Sequence, residues 1–315
     1  MTLASTPEFA LIARHFKRAT RHTLLAGGDD GALIQASSGH ELVISTDMLV
    51  AGTHFYADTN AEDLGWKTLA VNISDMAAMG AQPRWATLAM SLPDIEESWI
   101  AAFAKGFYDC AENFSIDLIG GDTTRGPLNF CVTIFGEVPA GQAIRRSGAK
   151  PDDDVWISGQ PGRAGLGLAQ LQGKAEFSEP QRGEYLKALT RPQPRVALGL
   201  ALRGLATAAL DISDGLLADL GHILEESHCA AELQFTTLPP PGIQRDMYLG
   251  GGDDYELAFT VPAARHHEVN ALSGKLGLPL THIGHITAGN AGDIHAVDAT
   301  GTPIMLPRRG YDHFA

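Results

Sequence analysis

The sequence predicts an α/β protein with mixed sheets (α+β), divided into two domains. Three observations lead there. Strand-type and helix-type segments alternate through the first half. The chain has 315 residues, long for one core and ordinary for two. A turn-rich, charged stretch, R-R-S-G-A-K-P-D-D-D (145–154), separates two such series. The boundary is placed there, giving domains 1–147 and 148–315.

Residues 8–18 put Phe9, Ile12, Ala13 and Phe16 on one helical face. E-L-V-I-S-T-D-M-L (41–49) is rich in branched residues and reads as a strand. Residues 60–80 read as a long helix. Asn60 is its N-cap, Glu62 and Asp63 suit its positive end, and Gly80 with Pro83 closes it. A strand at 85–92, a helix at 96–113, a short strand at 116–119 and a strand at 128–138 complete the first series. The second opens with a strand at 155–159 and a glycine-rich turn, P-G-R-A-G-L-G (161–167). Helices are expected near 163–173, 181–189 and 195–206, and 210–224 runs from a strand end into a helix. A strand at 255–261, a helix at 263–274 and a strand at 281–286 follow. Ile-Ser-Asp occurs at 73–75 and at 212–214; convergent use is the better reading than internal duplication.

Thirty-seven acids against 23 bases give a formal charge of −14, so nucleic acid and anionic membranes are poor partners unless cations intervene. Cys110, Cys131 and Cys229 form neither a disulfide framework nor a zinc spacing. The first ten residues lack the basic start and apolar core of a signal peptide, and no run approaches 18 apolar residues. A cytoplasmic protein is expected.

Against that acidic balance, aspartates stand on three glycine-rich stretches, all read as turns: A-G-G-D-D-G-A (26–32), I-G-G-D-T-T-R-G (119–126) and L-G-G-G-D-D-Y-E (249–256). Asp after Gly-Gly is also a common turn residue, because it tolerates left-handed backbone and bonds its own main chain. That reading stays open for Asp29, Asp30, Asp122, Asp211, Asp214, Asp253 and Asp254. Asp75 is harder to explain so. It sits in a helix among Val71, Ile73, Met76 and Met79, with no lysine or arginine one turn away. A carboxylate in that company is paired or lies along a cation. Asp47 ends an apolar strand together with Ser45 and Thr46. Hard oxygen donors without His/Cys clusters suit Mg²⁺ or Mn²⁺. His266 and His267 read as a solvated surface pair, and no zinc site is expected. Several magnesium sites point to phosphates. G-x-x-x-x-G-K-[ST] and the protein-kinase signatures are absent. The turn at 161–167 reads as a flexible connection or a helix start rather than a phosphate cradle. A nucleotide would be held through metal ions, with Arg125, Arg145 and Arg146 assisting; the last two are equally readable as linker charges.

Seven stretches then carry a resemblance: S-T-D-M-L-V-A-G-T-H-F (45–55), D-L-G-W-K-T-L-A-V-N-I-S-D-M-A-A-M-G-A-Q-P (63–83), G-G-D-T-T-R-G (120–126), G-E-V-P (136–139), R-R-S-G-A (145–149), D-I-S-D-G-L (211–216) and G-G-D-D-Y-E-L (251–257). In this order they resemble the thiamine-monophosphate kinase family, in the superfamily of aminoimidazole ribonucleotide synthetase and selenophosphate synthetase. The resemblance implies the last step of thiamine diphosphate biosynthesis: ATP and thiamine monophosphate give ADP and thiamine diphosphate. It implies a two-domain synthetase-like fold and a homodimer, with the N-terminal domains sharing a barrel-like sheet and a C-terminal α/β domain. It implies several Mg²⁺ ions on Asp30, Ser45, Thr46, Asp47, Asp75, Asp122, Asp211 and Asp214. ATP contacts would be Gly121, Asp122, Arg146 and Ser213, and substrate contacts His54, Asp254 and Tyr311. Two departures stand out. The first turn reads Ala26-Gly27-Gly28 where the family has Gly-x-Gly, and Asp253 stands where the family has glutamate.

The chemistry fits these residues. The acceptor is a phosphate ester, already anionic near neutral pH, so no general base is needed. The difficulty is bringing two polyanions together, and direct in-line transfer without a phospho-enzyme is expected. Selenophosphate synthetase chemistry would want a reactive Cys near the N-terminus, but the first is Cys110. A non-catalytic divalent-metal binder would need the acid-rich turns alone, not Arg125, Arg146 and the ordered substrate-side stretches.

Overall fold

In the computed structural model, residues 7–305 are described, and the chain divides into two bodies. Among the described residues, one comprises those up to Met76 together with Gln82–Gly141; the other comprises Ala77–Ala81 and those from Gln142 onward.

The first body carries a four-stranded sheet of β1 (His40–Val50), β2 (Gln82–Leu92), β3 (Asp117–Arg125) and β4 (Asn129–Pro139), in the order β1-β4-β2-β3. β4 runs antiparallel to both β1 and β2, while β3 is parallel to β2. Period-two burial fixes the register. Phe130, Val132 and Ile134 of β4 are buried, and Phe130 stacks on Phe103 at 4.5 Å. Phe103 belongs to helix α3 (Glu97–Phe114), which ends where Ser115 turns left-handed. Helix α1 (Pro7–His15) is tied to α3 through Arg14 and His15, both bonded to Glu97. Helix α2 (Ala61–Ala78) starts as the sequence indicates: the Asn60 side-chain oxygen accepts the Asp63 N–H at 3.1 Å.

One stretch corrects the reading. I-G-G-D-T-T-R-G was expected to leave a short strand and turn. Instead the strand continues to Arg125, paired along its length with β2. A bulge after Leu118 lets Gly120 face Thr87, and Gly121 then comes against Leu88. A β-carbon on Gly121 would lie 1.8 Å from the Leu88 carbonyl oxygen, at a φ of +152°. Close strand approach, not a turn, demands that glycine.

The second body holds a six-stranded mixed sheet in the order β10-β7-β9-β5-β8-β6. The strands are β5 (Asp153–Ser158), β6 (Ala208–Ile212), β7 (Ala230–Phe235), β8 (Glu256–Pro262), β9 (Leu280–Thr287) and β10 (Ile294–Asp298). β5 is central and antiparallel to both neighbours. The helices are α4 (Arg163–Leu171), α5 (Gln181–Thr190), α6 (Val196–Leu202), α7 (Leu216–Glu226), α8 (Ile243–Gly250) and α9 (His266–Leu276). Val155, Ile157, Leu210, Ile212, Leu220, Ile223 and Ile283 lie at the core. β7, α8 and β10 were not expected. β7 alternates cleanly, with Ala231, Leu233 and Phe235 buried and Glu232 and Gln234 exposed, but it is short. Among the described residues, no helix is long and apolar enough to cross a membrane.

Candidate functional site

In the first body, two buried carboxylates position the first glycine-rich turn. Asp117 accepts the N–H groups of Arg21 (2.8 Å) and His22 (2.6 Å) and the Thr23 hydroxyl (2.8 Å). Glu137 accepts the Ser37 N–H at 2.5 Å and pairs with Arg84 at 3.0 Å. Burial by itself would raise the Glu137 carboxyl, but the Ser37 donors and Arg84 outweigh it and hold it low. Between these anchors, Leu25 and Leu33 exchange backbone hydrogen bonds and close the turn 26–32. Asp29 and Asp30 are exposed on it.

Two predicted oxygen donors meet beneath β1, and the backbone of a third is held to the same helix. The Ser45 hydroxyl donates to Asp75 at 2.5 Å, and the Asp47 N–H donates to the Asn72 side-chain oxygen at 3.0 Å. Asn72 and Asp75 are three apart on α2 and so share a helix face. Ser45 and Asp47 point to the side on which Val43 and Leu49 are buried. Thr46 points the other way and meets the Thr133 hydroxyl at 2.9 Å. Asp122 also lies on that outer face, in the row Met48–Cys131–Ala89–Asp122. It is three strands from β1, or roughly 14 Å at the usual strand spacing. His54 lies in the turn after β1, where its Nδ1 accepts the Val50 N–H at 3.0 Å. In the neutral ring this puts the proton on Nε2. Arg125 is exposed, its Nε donating to the Pro93 carbonyl at 3.3 Å.

In the second body, D-I-S-D-G forms the turn from β6 into α7. Asp211 is buried, and Ser213 and Asp214 are half-buried. One carboxylate oxygen of Asp219 accepts the N–H groups of Ser213, Asp214 and Gly215 at 2.9, 2.9 and 3.1 Å. Burial pushes Asp219 up to about 6, while those three donors pull it down. The loop 251–255 lies against this turn: Asp253 N–H donates to Ser213 O and Tyr255 N–H to Ile212 O, both at 2.8 Å. Gly215, at a φ of +119°, leaves only 2.8 Å between a would-be β-carbon and the Gly250 backbone.

Asp254, expected at the substrate, uses its two oxygens on the N–H groups of Gly162 (2.5 Å) and Ala164 (3.0 Å). It thereby caps α4, and the glycine-rich turn 161–167 is a helix start. Burial pushes Asp254 up to about 8; Glu256 and Asp253 push the same way, against the capping N–H groups. Glu256 takes a two-pronged bond from Arg195, at 2.6 and 2.5 Å, and the Ser158 hydroxyl at 2.5 Å. The segment 145–149 is fixed by its backbone. Ala209 N–H donates to Arg145 O at 3.0 Å, and the Ser227 hydroxyl donates to Arg146 O at 3.2 Å. The Arg146 side chain is exposed. Tyr311 lies outside the described residues.

Asp117, Glu137 and Asp219 were missed by sequence reasoning. Only Asp219 had a local signal, an acid in the first turn of a helix. The Ser45–Asp47–Asp75 group offers carboxylate and hydroxyl oxygens, the donor set of Mg²⁺ rather than of zinc.

A family model for the AIR synthase related protein, N-terminal domain, matches residues 28–138, and the corresponding C-terminal domain matches 150–297. The chain is 46% identical to the thiamine-monophosphate kinase of Escherichia coli K12, over 98% of both chains. The structure of thiamine-monophosphate kinase from Stenotrophomonas maltophilia K279a superposes with a TM-score of 0.81 at 45% identity, covering 94% of this chain and 96% of that one. The complex of AaThiL with AMPPCP and TMP gives 0.76 at 29% identity, covering 91% of each.

Proposed function

The chain belongs to the thiamine-monophosphate kinase family, and we propose that it transfers the γ-phosphoryl group of ATP directly to thiamine monophosphate, releasing ADP and thiamine diphosphate. The observation that carries this is the 46% identity across 98% of both chains. The AaThiL complex, which holds AMPPCP and TMP together, supports an attack between two bound phosphates rather than through a protein intermediate.

The division of labour follows from chemistry. Asp30, Ser45, Thr46, Asp47, Asp75, Asp122, Asp211 and Asp214 are the oxygen donors for Mg²⁺. When bound, Mg²⁺ supplies the positive charge that lets two polyanions approach. Gly121, Asp122, Arg146 and Ser213 lie along ATP. His54 presents its Nε2 side to thiamine monophosphate, joined by Tyr311. Asp254 acts from behind the site, holding the loop 251–255 to the start of α4. The domain boundary falls near residue 147. The enzyme works in the cytoplasm as a homodimer. Support for the dimer is β1, an 11-residue edge strand whose outer face exposes Leu42, Ile44 and Met48.

The test is ADP release with ATP and Mg²⁺, with thiamine monophosphate, free thiamine and aminoimidazole-pathway substrates compared and the product identified by chromatography. Thiamine diphosphate is expected from the monophosphate only. Well-folded protein that binds ATP yet leaves the monophosphate unchanged overturns the reading. A phosphorylated protein surviving acid quench with γ-labelled ATP alone overturns direct transfer.

A further inference from the structure

Sequence spacing gives no zinc site, and His266 with His267 reads as a solvated pair. The fold separates the two. His267 is exposed, whereas His266 turns toward β5, its Nδ1 2.7 Å from one oxygen of Asp154. The other oxygen of Asp154 lies 3.3 Å from Nε2 of His282, on β9. One ligand atom from each of the three residues falls within 4.8 Å of the others. The carboxylate is mostly buried, while the imidazoles keep 43% and 39% of their side-chain surface exposed, so solvent reaches the cluster. Trp156 backs both rings, at centroid distances of 4.6 and 5.3 Å, and so restricts how they turn.

We propose that Asp154, His266 and His282 form a binding site for a divalent transition cation of the Zn²⁺ class. Two imidazoles and a carboxylate are a donor set that such ions prefer and Mg²⁺ does not. Bonds of about 2.0–2.1 Å place tetrahedral ligands roughly 3.3 Å apart, and donor atoms already within 4.8 Å of one another need only small side-chain shifts to reach that spacing. Three protein ligands leave a position for water. The ion would join α9 to β5 and β9, clipping a helix onto the sheet.

The site lies at the far end of the strands from the D-I-S-D-G turn. Asp154 pairs with Val261 on β8, whereas Glu256 of β8 pairs with Ile212 next to that turn. Five residues of strand span roughly 17 Å. The clip is therefore separate from phosphoryl transfer, and its test does not depend on the kinase reading.

The test is Zn²⁺ titration by calorimetry of chelator-stripped, desalted full-length protein, with millimolar Mg²⁺ present, alongside thermal melts. Wild type is expected to bind Zn²⁺ and to gain several degrees in Tm. His266→Ala and His282→Ala should each weaken that binding at least tenfold and lose the Tm gain. His267→Ala should behave as wild type. Kinase activity and circular dichroism should be unchanged in all three, and Asp154→Asn provides a second probe if an alanine variant folds poorly. Equal Zn²⁺ binding by wild type and the His266→Ala/His282→Ala double variant, or no binding by wild type, overturns the proposal.

Discussion

The acids beneath β1 and those around the D-I-S-D-G turn look alike in sequence and are treated differently by the fold. Beneath β1, Asp75 receives a serine hydroxyl, and Asp47 uses its backbone, not its carboxylate, to bond Asn72. Around the second turn, Asp219 takes three backbone N–H groups and Asp254 takes two. A carboxylate saturated by main-chain donors holds a loop in shape. A carboxylate has about four acceptor sites, so the single Ser45 hydroxyl on Asp75 does not exhaust what that group can offer a cation. The difference teaches that an aspartate beside glycines is assigned by what the backbone asks of it.

The largest effect is expected at Asp47. Asp47→Asn keeps the backbone bond to Asn72 but removes the charge, so kcat should fall by about 10³ while Tm moves little. Steady-state kinetics beside a thermal melt checks this. Next is Gly121→Ala, which forces a β-carbon onto the Leu88 carbonyl and strains the β2–β3 pairing. A loss of about 4 kcal/mol is expected, read as a lowered urea midpoint. Asp219→Ala should cost about 3 kcal/mol by stranding three N–H groups, and kcat should fall with it because Ser213 and Asp214 lose their positions.

The smallest effect sharpens the comparison through pH. Burial pushes Asp254 up to about 8 in the folded protein from an ordinary value of 3.8. Between those values the folded state keeps a proton that the unfolded chain has lost. Stability therefore falls as pH rises through this window and levels off above it. Asp254→Asn cannot titrate. The Tm of wild type minus that of the variant should decline from about pH 5 to about pH 8, measured by melts in a buffer series. The same difference staying flat would show that the capping N–H groups keep Asp254 ionised.

Much of the fold was legible because its signals are local. Asn60 caps α2 as its position before Glu62 and Asp63 indicates, and the apolar alternation of residues 128–138 becomes β4. The I-G-G-D stretch misled because Gly-Gly-Asp normally marks a turn, whereas here pairing with β2 overrides the propensity. α8 went unseen because it is only eight residues long and follows the turn-type run L-P-P-P-G (238–242). In the candidate site, Asp47 and Asp75 stood out in sequence as carboxylates among apolar neighbours, whereas the Ser45–Asp75 bond is a product of the fold. Asp117 did not stand out, because its partners at 21–23 lie more than ninety residues away. Asp154, His266 and His282 were hidden for the same reason: only the pairing of β5 with β9 and the packing of α9 bring them together.

The proposed function divides the acids into cation holders and backbone holders. Its most direct test is one paired measurement on Asp75→Asn and Asp219→Asn: the Mg²⁺ dependence of thiamine diphosphate formation, with Tm recorded on the same samples. The account predicts that Asp75→Asn needs far more Mg²⁺, or stays inactive, at an unchanged Tm. It predicts that Asp219→Asn melts lower, with any rise in its Mg²⁺ requirement tracking the loss of Tm, because Ser213 and Asp214 lose their anchor. An Asp75→Asn enzyme with a normal Mg²⁺ requirement and a lowered Tm would contradict it.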